Sequence, residues 1–131
     1  MLTSDFDRIV ERALHNIPAR FRSRMNNVAV VVENEPAPAL LKARGVSPGS
    51  TLLGLYEGQP LTHRSVFAPF RLPDRITVFQ GPHERIAPNR EALERLVEQT
   101  LWHEIAHHFG MNEREVRAAE RLRRMRRLWP H

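Results

Sequence analysis

Near the C-terminal end of this 131-residue sequence, His103 and His107 flank Glu104 in the order His-Glu-x-x-His. On a helix, positions i and i+4 lie about 40° apart in projection and one turn apart along the axis, so both imidazoles reach one ion. Glu104 projects beside them, where its carboxylate can take a proton from water activated by that ion without being a ligand itself. This is the arrangement of metal-assisted hydrolysis, and two imidazoles with a carboxylate favour zinc. A random chain of this composition contains the pentapeptide with a probability of roughly 3%. The spacing alone therefore does not carry the reading, and the surroundings must.

A catalytic zinc takes three protein ligands and keeps one open position. The sequence has no cysteine, which excludes thiolate zinc sites, iron–sulfur clusters, disulfides and thiol nucleophiles. Gly110 lets the chain reverse after the helix and bring Glu113 back toward the metal as the expected third ligand. Glu120 and His108 are the alternatives, and an acid at Glu113 is also favourable simply in the first turn of a following helix. His108 adjoins Glu104 on the helix, where it tunes the base or packs.

The helix that carries these residues is predicted from Asn89, its N-cap, to about Phe109, with Gly110 in the left-handed position beyond its end. Its first half sets Leu93, Leu96, Val97 and Leu101 against Glu91, Glu94, Arg95, Glu98 and Gln99, as a surface helix requires. In its second half the outer face becomes Trp102, Ile105, Ala106 and Phe109. The helix dives into the protein at the motif, and burying His103, Glu104 and His107 there without partners would cost several kcal/mol that a divalent cation offsets.

Phe6, Ile9, Val10, Ala13, Leu14 and Ile17 recur at helical spacing behind Ser4, a candidate N-cap. Pro18 ends that helix or opens a second short one. Val28 to Glu33 is a continuous β-branched run and reads as an interior strand. Ala39 to Arg44 suits one helical turn. Thr51 to Glu57 and Arg75 to Gln80 are further strands, the second bounded by Gly81-Pro82, and residues 63 to 74 read as loop. Asn112 and Glu115 form a capping pair for a last helix to about Leu128. Strands among helices without regular alternation make an α+β fold, residues 1–131 as one domain with a basic C-terminal helix over 112–131.

The stretch His103 to Glu113 resembles the signature of the short bacterial zincin-like metallopeptidases, a family of minimal single-domain zincins. Leu52-Leu53-Gly54-Leu55-Tyr56-Glu57-Gly58, Pro60-Leu61-Thr62 with Arg64-Ser65, and Pro73-Asp74-Arg75-Ile76-Thr77-Val78-Phe79 agree with it in order. The resemblance covers about residues 50 to 115. It implies a small α+β zincin fold with a sheet of about three or more strands on the active-site helix. It also implies His103 and His107 as ligands of one zinc ion and Glu104 as general base.

The expected activity is hydrolysis of peptide bonds in a peptide or protein substrate, aligned on an edge strand from 51 to 57 or 75 to 80. Tyr56, the one tyrosine, is read as structural. His15, His63, His83 and His131 are read as solvated or capping residues. No nucleophile elbow and no phosphate-cradling glycine loop is present.

The net charge is +5, and most of it lies in the last twenty residues. There Arg114, Arg117, Arg121, Arg123, Arg124, Arg126 and Arg127 face only Glu113, Glu115 and Glu120. Such a helix could bind nucleic acid, but a solvated, partly ion-paired face is the favoured reading. A zincin scaffold that holds metal without turnover is the remaining alternative. The longest apolar run, Val28 to Val32, is too short to span a bilayer, and the first residues are acidic, so no membrane partner and a cytoplasmic location are expected.

Overall fold

The computed structural model describes residues 3–25, 27–58, 74–112, 114, 115, 117, 118 and 121. Helix α1 spans Thr3–His15. It buries Phe6, Ile9, Val10 and Ala13 and turns Asp7, Arg8, Glu11 and Arg12 outward, so its apolar spacing is read out as one packed face. Ser4 lies inside its first turn rather than capping it. Pro18 then starts the single turn α2, Ala19–Arg22, with Arg22 Nε donating to Ile17 O at 2.9 Å to hold the corner.

Strand β1, Val28–Glu33, is followed by the short helix α3, Pro38–Ala43, with proline in its first turn. Strand β2 is Gly54–Glu57 and β3 is Asp74–Phe79. Helix α4, Gln80–Ile86, leaves β3 directly, and α5, Arg90–His108, follows. Beyond Asn112 the described residues, 114, 115, 117, 118 and 121, are helical. Asn112 Oδ1 accepts from Glu115 N–H at 2.9 Å and Glu115 Oε1 accepts from Asn112 N–H at 3.4 Å, the reciprocal cap that the spacing predicts.

Among the described residues the strands form one mixed sheet in the order β1-β3-β2. β1 runs parallel to β3, with Val28 opposite Asp74 and Glu33 opposite Phe79. β2 runs antiparallel to β3, with Gly54 opposite Val78 and Glu57 opposite Arg75. Among the described strands the interior one is therefore β3, with β1 at an edge. A continuous apolar run reports that both faces of a strand are covered and is silent about its lateral neighbours.

Ile76 and Val78 of β3 enter one core with Phe6, Ile9, Val10 and Ala13 from α1, Ile17 from the corner after it, and Leu93, Val97, Leu101, Trp102 and Ile105 from α5. The fold is α+β, with a small mixed sheet and helices before and after it. No described helix is long and apolar enough to cross a membrane.

Candidate metal centre

Asn89 begins α5 as predicted: its side chain accepts from Ala92 N–H at 2.9 Å. At the other end, Gly110 N–H bonds His107 O at 2.9 Å and Met111 N–H bonds Ala106 O at 3.0 Å. Gly110 sits at φ +73, so the helix closes in the left-handed turn that a glycine makes without strain. Trp102, Ile105 and Ala106 are buried, so the helix enters the interior at the motif. Glu98, expected on the outer face, is 8% exposed, because α1 packs across that side of α5. Ile9, Ala13 and Glu98 line a cavity of about 200 Å³ between the two helices.

His103, Glu104 and His107 offer nitrogen and oxygen atoms that all lie within 4.8 Å of one another. The two imidazoles are half-buried, with ring centroids 4.9 Å apart and planes at 70°, while Glu104 is buried. The two imidazoles can meet on one cation with the Glu104 carboxylate beside them, and imidazole nitrogen donors suit zinc better than magnesium or calcium. Glu113 lies outside the described residues, as do Glu120, His63 and His131. Arg114, Arg117 and Arg121 are exposed, and Arg123 to Arg127 also lie outside the described residues.

His103 and Glu104 open onto a groove of about 580 Å³ that runs between α5 and the β2 segment and is walled by Leu52, Leu53, Leu55 and Leu96. β2 comes this close to the helix because residue 54 is glycine. A Cβ there would lie 2.6 Å from Thr100 Cγ2 and 3.2 Å from Glu104 Cγ. Phe79 N–H bonds Leu53 O at 2.9 Å, and the antiparallel alternation then turns the main-chain groups of Gly54 and Tyr56 away from β3. Tyr56 N–H meets α5 there, donating to Glu104 Oε1 at 3.1 Å.

Sequence reasoning assigned no role to Tyr56 and Asp74. Tyr56 Oη–H donates to Asp74 Oδ2 at 2.6 Å, and His108 Nδ1–H donates to the same oxygen at 2.9 Å. Asp74 is 2% exposed and His108 fully buried. No local pattern marks these contacts, since the residues come from three elements. His108 belongs to this buried cluster.

His83 corrects an expectation. It is not a solvated loop residue: it sits on α4, fully buried, with Nδ1 2.6 Å from Phe79 O and Nε2 2.8 Å from Thr100 Oγ1. The carbonyl can only accept, so Nδ1 carries the proton, and when the ring is neutral Nε2 shares the one Thr100 hydroxyl hydrogen with Leu96 O, 3.0 Å from Thr100 Oγ1. Burial holds its pKa below the ordinary histidine value. Gly81-Pro82 was read as a break, but proline is tolerated in the first turn of a helix, and α4 starts through it. Arg85 on α4 pairs with Glu35 through both guanidinium nitrogens, at 2.8 and 2.7 Å.

The chain belongs to the zincin-like metallopeptidase family, whose sequence profile matches residues 25–122. No curated protein matches it. Among solved structures it is similar to a conserved hypothetical protein from Thermus thermophilus, with 27% sequence identity and a TM-score of 0.58 over 83% of this chain and 94% of that one.

Proposed function

We propose that the chain is a zinc-dependent peptidase in which His103 and His107 hold one zinc ion, Glu113 is the third protein ligand and Glu104 is the general base. The observation that carries this is the convergence of His103, Glu104 and His107 within 4.8 Å on one turn of α5, with His103 and Glu104 lining the groove beside β2. When bound, zinc supplies polarisation of water and of the scissile carbonyl.

The chain's own residues then divide the work. Glu104 is oriented through Oε1 by Tyr56 N–H, so its other oxygen takes the water proton and passes it to the departing amine. β3 is paired on both sides, so of the two strands expected to align an extended peptide β2 is the one with a free edge in the described sheet, and it also borders the groove. Leu52, Leu53 and Leu96 give that peptide an apolar wall. The substrate is a peptide or protein in an extended conformation.

The test is a mixed peptide library offered to zinc-loaded protein beside a Glu104→Gln control. Cleavage that drops by at least about 100-fold in the control supports the assignment, in line with the usual worth of a positioned base. Stoichiometric zinc without cleavage would leave a metal-holding scaffold, and equal cleavage by the control would trace the activity to a contaminant.

A further inference from the structure

Thr100, Glu104 and His108 are spaced i, i+4, i+8 on α5 and form a stripe facing β2. Each meets that strand differently. Thr100 lies against the bare backbone of Gly54, Glu104 accepts the Tyr56 N–H at 3.1 Å, and His108 meets the Tyr56 ring edge-on, with centroids 5.9 Å apart, and is also joined to Tyr56 through Asp74. The Asp74 carboxylate receives the Tyr56 hydroxyl at 2.6 Å and His108 Nδ1–H at 2.9 Å on one oxygen. Its other oxygen lies against Gly58, so close that a Cβ there would have no room.

These contacts close a ring. From Glu104 it follows one turn of α5 to His108, crosses Asp74 to the Tyr56 ring, and returns through the Tyr56 backbone to Glu104. Burying a carboxylate is expensive unless it is well bonded. Asp74 is bonded to the two elements whose separation sets where Glu104 points.

We infer that Tyr56, Asp74 and His108 are positioning residues that clamp β2 to α5 and so fix the Glu104 carboxylate through the Tyr56 amide. The inference rests on the reading of Glu104 as general base. Tyr56 holds Glu104 with its backbone while its side chain holds the strand in place. A strand free to lift from the helix takes the Tyr56 amide with it, and misplacing a catalytic group by about 1 Å is enough to cost up to about 100-fold in rate.

The test compares Tyr56→Phe, which keeps the ring and the amide but loses the hydroxyl, with wild type. For the zinc-loaded variant kcat is expected to fall roughly 10-fold or more, with KM within about twofold and zinc stoichiometry unchanged. In metal-free protein, hydrogen exchange at the residue 56 amide is expected to quicken about 10-fold. The amides of Leu55 and Thr77, which pair within the sheet, keep their protection. Asp74→Asn in the Tyr56→Phe background adds less than it does alone, because both act through one tether.

Wild-type kcat together with unchanged exchange at residue 56 would overturn the inference. So would equal acceleration at all three amides with loss of zinc, which is the signature of general destabilisation. If wild type cleaves no peptide, the base assignment fails separately, and the exchange comparison still decides whether the clamp exists.

Discussion

Gly54 and Glu104 depend on each other. The carboxylate reaches the Tyr56 amide only because β2 lies flat on α5, and β2 lies flat only because no Cβ stands between Gly54 and Thr100. Gly54→Ala is therefore expected to lower stability by about 1–3 kcal/mol, the usual cost of overpacking, and to depress cleavage further than stability alone explains. Chemical denaturation and peptide turnover measure the two effects. Adding Thr100→Ser, which removes the obstructing methyl and keeps the hydroxyl for His83, should recover part of both. At this scale the site was partly legible in the sequence. His103, Glu104 and His107 announce themselves because a helix converts their spacing directly into proximity. Tyr56 and Asp74 do not, since they are 18 residues apart and meet only after β2 and β3 pair.

Among the elements, α5 was the most readable, because its cap, its apolar stripe and its terminal glycine are all local features. The sheet was less so. A run of valines marks β1 as a strand, half-buried rather than buried, but the central place of β3 follows from pairings distant in sequence. α4 escaped notice because Gly81-Pro82 reads as a stop, whereas a proline in an opening turn loses no hydrogen bond. α4 also carries His83, which ties it to α5 through Thr100. Burial lowers the His83 pKa in the folded state, so the unfolded chain takes the proton first as pH falls below about 6.5. Stability from His83 is thus complete above that value and is lost as pH drops through the lowered folded value. Unfolding of metal-free protein between pH 7 and 5 should show this decline, and a His83→Gln variant, weaker at pH 7, should show a flatter slope. A slope equal to wild type would remove His83 as its source.

Taken whole, the molecule is a short sheet with α5 crossing one face, and the groove runs where β2 meets that helix. Two of the charge pairs outside the core, Arg85–Glu35 and Arg75–Glu57, are exposed and short, and exposed pairs contribute little. The burial that organises the chain is instead the core that draws the second half of α5 inward, and with it the His103, Glu104 and His107 cluster. Whether that cluster holds a metal is the central question, and calorimetric titration of metal-free protein with zinc answers it most directly. The account predicts one zinc per chain for wild type, retained in Glu104→Gln and lost in His103→Ala and His107→Ala. Absence of binding to wild type, or equal binding by both histidine variants, would contradict it.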